Sequence, residues 1–99
     1  MKQLDRKSID NLFKAITLLE NQKECEDFFN DICTIQEIEA IAQRLDVAQR
    51  LIDGKVYTEI SKETGASTAT VCRVNRCIKY GNGGYRTVLE RMAGEKNND

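Results

Sequence analysis

The residues best equipped for chemistry in this 99-residue sequence lie in one run, Ile60-Ser61-Lys62-Glu63-Thr64-Gly65-Ala66-Ser67-Thr68-Ala69-Thr70-Val71-Cys72-Arg73-Val74, and in the basic side chains just beyond it. The chemistry they offer is contact with phosphates and with base edges. Ser67 is a helix cap by type. A serine there leaves the first-turn N–H groups and the positive end of the helix dipole facing outward, where a phosphate can sit. Arg73, Arg76, Lys79 and Arg86 are phosphate partners, and no acid occurs between Gly65 and Leu89 to neutralise them. Thr68, Ala69 and Cys72, with Thr70 beside them, carry small groups suited to thymine methyls and modest hydrogen bonds in a major groove.

Other chemistry is poorly supplied. The chain has no His and no Trp, so the commonest acid/base group near neutral pH and the commonest metal ligand are both missing. Neither a nucleophile elbow, a phosphate-binding glycine loop nor a pair of carboxylates in an apolar setting is legible, which argues against an enzyme. Cys25, Cys33, Cys72 and Cys77 are spaced C-x7-C and C-x4-C. A zinc knuckle wants about two to four residues between close ligands, so no metal and no cofactor is expected and the thiols are read as free, small apolar groups. No apolar run approaches the ~20 residues of a membrane span, and the start MKQLDRKSID lacks the apolar centre of a signal peptide, so the expected location is the cytoplasm.

The elements that must position the run are all helical. Strand alternation is absent, there is no proline, and apolar residues recur at three- and four-residue steps. Ile9, Leu12, Phe13, Ile16 and Leu19 predict an amphipathic helix over 9–19 with Ser8 as its cap, and Phe28, Phe29 and Ile32 predict a short second one. Thr34 and Glu37 form the T-x-x-E capping box, opening a helix over 35–53 that stops at Gly54. Its apolar stripe, Ile38, Ile41, Ala42, Leu45, Ala48, Leu51 and Ile52, is wider than one small partner helix needs, and burial on a second subunit is the simplest use for it. Helices over 57–64 and 68–80 follow, then the loop Gly81-Asn82-Gly83-Gly84, a last amphipathic helix over 85–92 and a fraying tail. The whole is one all-α domain, with residues 1–54 for dimerisation and 57–80 as a helix-turn-helix head.

Within that head each position has a reason. Ile60, Val71 and Val74 lock the two helices together, Ser61 allows close approach, and Gly65 can take the left-handed conformation of the turn. An ordinary helical hairpin can carry a glycine too, so the charge distribution matters. Residues 1–53 hold 11 acids and 7 bases, whereas residues 54–99 hold 5 acids and 8 bases. A net charge of −1 therefore conceals a dipolar chain whose basic part coincides with the candidate reading helix, the electrostatic footprint of phosphate binding.

At these positions the sequence resembles the Trp repressor family, and more closely its Trp-repressor-like YerC/YecD branch. The matching stretches are Thr34-Ile35-Gln36-Glu37-Ile38-Glu39-Ala40-Ile41-Ala42-Gln43-Arg44, Leu51-Ile52-Asp53-Gly54, and Ile60 to Arg73. The resemblance implies an intertwined all-helical homodimer with two projecting heads. It also implies a corepressor pocket at Thr34, Arg44, Thr70 and Arg73, with departures at two further positions. Val74 stands where the family's tryptophan binder has a glycine beside the indole, and Cys77 replaces a serine near the ligand's amino group.

The expectation is thus a homodimeric, sequence-specific regulator of transcription, acting as a repressor on double-stranded DNA. Its interface would be Ser67, Thr68, Ala69, Thr70, Cys72, Arg73, Arg76 and Lys79, with a small-molecule effector other than tryptophan as a further partner. The alternative is a helical module that binds a protein through the same hairpin.

Overall fold

The computed structural model describes residues 5–97 and consists there of six helices: α1 (Arg6–Thr17), α2 (Gln22–Ile32), α3 (Ile35–Ile52), α4 (Tyr57–Thr64), α5 (Thr68–Tyr80) and α6 (Gly84–Asn97). They form two compact units, one through Ile38 and one from Glu39 onward. The boundary falls inside the first turns of α3 and not at Gly54, because Val47 and Ala48 of α3 are fully buried with the head. Residues 39–52 of α3 thus fall in the second unit, where Val47 and Ala48 join its core.

In the first unit α1 starts earlier than its apolar spacing suggests. Asp5, not Ser8, is the cap, its carboxylate accepting from the Lys7 N–H at 3.1 Å. An aspartate caps as well as a serine and adds a negative charge at the positive helix end, which favours the upstream site. Asn21 caps α2 in the same way, accepting from Glu24 N–H at 2.9 Å. The Phe28 and Phe29 rings meet edge to face with centroids 5.7 Å apart. No residue of α1 or α2 is buried.

The capping box at the head of α3 forms reciprocally. Thr34 N–H donates to Glu37 Oε1 at 2.8 Å and Glu37 N–H to Thr34 Oγ1 at 3.2 Å. The Thr34 backbone N–H, and after it the Thr34 hydroxyl, stabilise the ionised form and hold the Glu37 carboxyl below the usual carboxylate range. The other end of α3 closes in a Schellman motif, with Gly54 left-handed at φ +85°, Lys55 N–H on the Arg50 carbonyl at 3.0 Å and Gly54 N–H on that of Leu51 at 3.1 Å.

The second unit carries the core: Val47, Ala48, Ile60, Ala66, Val71, Val74 and Leu89, with Leu45, Leu51, Ile78 and Tyr85 packed around it. Four helices thus contribute to one apolar centre. At ~1.5–3 kcal/mol for burying each large aliphatic side chain, Val47, Ile60, Val71 and Val74 dominate its stability. Helix α6 runs well past Met92 to Asn97, so residues 93–97 of the tail expected to fray are helical, and Asn98 and Asp99 lie outside the described residues. Ala93, Glu95 and Lys96 are good helix formers, and the single Gly94 is too small a penalty to break the run. No helix among the described residues is long and apolar enough to cross a membrane.

Candidate nucleic-acid interface

Helices α4 and α5 form the expected helix-turn-helix. Ile60, Val71 and Val74 are essentially without solvent exposure, and Ala66, in the turn, is buried with them. Gly65 is left-handed at φ +75° and its N–H returns to the Ser61 carbonyl at 2.9 Å, ending α4. A side chain at Gly65 would strain the backbone at that φ, which explains the glycine. Ser61 does pack closely, and its Oγ is buried without a hydrogen-bond partner among the described residues.

Ser67 caps α5 as its type and position suggest. Its Oγ accepts from the Thr70 N–H at 3.1 Å and lies 3.1 Å from Thr70 Oγ1. The next residues sort by helical period. Val71, Val74 and Ile78 turn inward, so residues 69, 72, 73 and 76, at three- and four-residue steps, occupy the opposite face. There Ala69, Cys72, Arg73 and Arg76 line one shallow hollow of about 420 Å³. Thr68 and Lys79 are also exposed, on the flank of the same helix, and Thr70 is half-buried by its capping contact.

Among the described residues the ion pairs are Arg6–Asp10, Lys23–Asp27, Arg50–Glu63 and Lys55–Glu63. Arg73, Arg76 and Lys79 take part in none of them. Helix α5 therefore presents cations that remain available to an external anion. Glu63, in contrast, is spoken for: Arg50 Nε donates to it at 3.0 Å and Lys55 Nζ at 3.3 Å. The Arg50 and then the Lys55 hydrogen bond hold the Glu63 carboxyl below the usual carboxylate range.

The residues expected to form an effector pocket do not gather as one set. Arg44 and Cys77 share a cavity of about 530 Å³ whose other walls are Ile41, Leu45, Asn82, Gly84, Tyr85 and Val88. Thr70 and Arg73 are not among its lining residues, and Val74 is core, 1% exposed. Thr34 belongs to the first unit, where its side chain and backbone are engaged by Glu37. Sequence reasoning missed Asn82, inside the glycine loop, and Tyr85, just after it, which line this cavity where the loop leads into α6. A loop unlike the rest of the chain was the available signal. The four cysteines are free thiols, but Cys25, Cys72 and Cys77 are exposed instead of packed as small apolar groups. No cluster of three metal-ligating side chains occurs among the described residues.

Comparison with known proteins bears on this geometry. The family model described as Trp repressor protein matches residues 7–93. The uncharacterised protein YerC of Bacillus subtilis (strain 168) is 50% identical over 93 residues, covering 91% of this chain and 89% of that protein. The crystal structure of a TrpR-like protein from Eubacterium eligens ATCC 27750 superimposes with a TM-score of 0.85 at 47% identity, covering 91% of this chain and 93% of the other. A candidate Trp repressor from Staphylococcus aureus is similar to the same degree, with a TM-score of 0.85, 46% identity, and coverage of 90% and 89%.

Proposed function

This chain belongs to the Trp repressor family, in its YerC-like branch, and on that premise we propose that it is a homodimeric, sequence-specific regulator of transcription, a repressor, that reads double-stranded DNA with α5. The observation that carries the reading is the exposed face of Ala69, Cys72, Arg73 and Arg76, with no carboxylate among the described residues paired to either arginine. Phosphates bind at the capped start of α5 and at Lys79, which orient the head without selecting sequence. Ala69 and Cys72 meet base edges in the major groove, and Arg73 and Arg76 take either guanine or the phosphate backbone. A buried Val71–Val74–Ile78 face on the other side keeps α5 rigid, so its side chains enter the groove in fixed register.

Dimerisation is supported by apolar residues that one chain leaves uncovered. Phe13, Leu18, Ile32, Ile35 and Ile41 are roughly half exposed or more. Large apolar side chains left exposed in such number belong against another protein surface. A two-fold dimer with two heads selects near-palindromic DNA with half-sites ~34 Å apart, or a multiple of it. The regulator works in the cytoplasm, and tryptophan is not an effector for it. Val74 fills the position that an indole's floor would need, and as a core residue it has no room to withdraw.

Selection of binding sites from random duplex DNA with the purified protein tests the proposal. A two-fold symmetric site is expected, bound with an affinity that falls steeply with added salt. Arg73→Ala or Arg76→Ala should weaken binding to that site by ~1–3 kcal/mol where the arginine pairs with guanine, and relax the preference at one position. Failure to enrich any sequence, or an affinity indifferent to salt, overturns the reading in favour of a protein-binding hairpin.

A further inference from the structure

The turn between α4 and α5 is held from outside the head's two helices. Gln43, on α3, donates from Nε2 to the carbonyl oxygen of Thr64 at 3.2 Å. Thr64 is the last residue of α4, so its carbonyl is one of the four that a helix leaves without an internal partner. The Gln43 amide also lies over the turn glycine, since Nε2 is the atom a Cβ on Gly65 would meet, at 3.9 Å. Inside the turn the remaining polar groups are closed. Thr64 Oγ1 donates to the Ile60 carbonyl at 2.7 Å and accepts from the Ala66 N–H at 3.2 Å.

Seven residues along α3, on the same face, Arg50 grips Glu63 at 3.0 Å. Between the two lies Val47, fully buried. Helix α3 thus meets the end of α4 through one stripe, with an apolar contact flanked by two polar grips on the adjacent residues Glu63 and Thr64. The grip at Thr64 is the one next to the turn, and the direction of α5 is set immediately after it.

Resting on the DNA-reading role of α5, we propose that Gln43 is a positioning residue for DNA recognition. It touches no DNA. Its amide fixes the Thr64–Gly65–Ala66 turn to α3, and so fixes the angle at which the capped end of α5 is offered to the groove. Removing the donor leaves the Thr64 carbonyl free to turn toward water, and the turn gains freedom while the apolar contacts of Ile60, Val71 and Val74 keep the head folded. Contacts that need fixed register then suffer more than contacts with phosphate, which tolerate a range of angles.

The test uses the full chain and two substitutions. Gln43→Met keeps length and flexibility but has no donor, and Gln43→Lys keeps a donor. Two readouts are taken: amide hydrogen exchange of the protein alone, and the ratio of affinities for the selected duplex and a scrambled duplex at one salt concentration. In Gln43→Met, exchange at Gly65 and Ala66 should quicken about tenfold, the amides of Val71 and Val74 should stay protected, and the affinity ratio should fall about tenfold. Gln43→Lys should restore most of both. Unchanged exchange at the turn, or quickened exchange with an unchanged ratio, overturns the proposal. Equal quickening throughout α4 and α5 reduces Gln43 to a structural role and overturns it too. A wild-type protein with no preference between the duplexes defeats the DNA-binding reading itself, whereas a preference kept intact in Gln43→Met defeats only the role of Gln43.

Discussion

In α1 and α2 no side chain is buried, and Phe13, Leu18 and Ile32 of that segment remain more than half exposed; from Glu39 onward the chain encloses Val47, Ala48, Ile60, Ala66, Val71, Val74 and Leu89. Both units have amphipathic helices of ordinary length, so the difference is not one of helix-forming tendency. It is one of partners. The second unit packs its apolar faces against one another, while α1 and α2 leave theirs without a buried residue. The acids Glu20, Glu24, Glu26, Asp27 and Asp31 keep the first unit away from phosphate, and the acid-free stretch from Gly65 to Leu89 offers the second to it. One unit holds the exposed basic face of α5 on a packed core, and the other leaves its large apolar side chains exposed.

The comparison can be broken most directly at the core. Ile60→Ala should lower the unfolding free energy by ~2–5 kcal/mol in chemical denaturation, and the loss should not depend on protein concentration. A loss below ~0.5 kcal/mol would mean that the second unit has no self-sufficient centre. Next in size is Phe13→Asp in the first unit. At an exposed site of a monomer it should change stability by no more than ~0.5 kcal/mol. In a dimer that covers this face it should weaken association by ~1.5–3 kcal/mol, seen by sedimentation as dissociation at higher concentration. Equal sedimentation of variant and wild type would remove α1 from the interface.

Ser61→Ala sharpens the account of the head. Its buried Oγ has no partner, so deleting the hydroxyl should raise the denaturation midpoint, by an amount equivalent to ~1 kcal/mol. A drop would mean that the hydroxyl is satisfied in solution. The smallest effect is expected on the acid side, where each unit has one carboxylate to compare. Glu37 and Glu63 both titrate below the usual carboxylate range in the folded chain. Their contributions are therefore complete above that range and fade as the pH falls through it and then through the lowered folded values. Glu63→Gln should flatten the loss of stability in acid by removing the grip of Arg50 and Lys55, and Glu37→Gln should do so through the α3 cap. Thermal midpoints measured from pH 6 down toward pH 3 decide it: slopes as steep as the wild type's would rule out both pairings as acid-sensitive.

Local chemistry made much of this legible beforehand. Thr34 with Glu37, Gly54, Gly65 and Ser67 each act within a few residues of themselves, and each behaves as its type dictates. Ser8 misled because Asp5, three residues upstream, is an equally able cap, and spacing of apolar residues does not choose between them. The end of α6 was missed for the converse reason: residues 93–97 have no apolar period, yet they continue a helix through propensity alone. The exposed arginine face of α5 could be anticipated from the absence of acids. The cavity beside Arg44 could not, since α3, α5 and α6 and the glycine loop all contribute to its wall. Nor could Gln43, whose partner lies 21 residues away and is a backbone carbonyl with no side-chain signature.

The turn at Gly65 has a consequence for how the protein comes into being. Ile60, Ala66, Val71 and Val74 lie on two neighbouring helices with only that turn between them, so their meeting requires closure of a very short loop. Loops of ~10 residues close in ~10–100 ns, and with no proline in the chain no slow isomerisation stands in the way. The head's assembly is a matter of local diffusion, indifferent to how many copies are present. In the proposed dimer, whatever α1 and α2 bury on a second chain has to wait for two molecules to collide, and that wait lengthens with dilution. On that proposal each newly made copy passes through a time in which α5 is already in place and the faces of α1 and α2 are still uncovered.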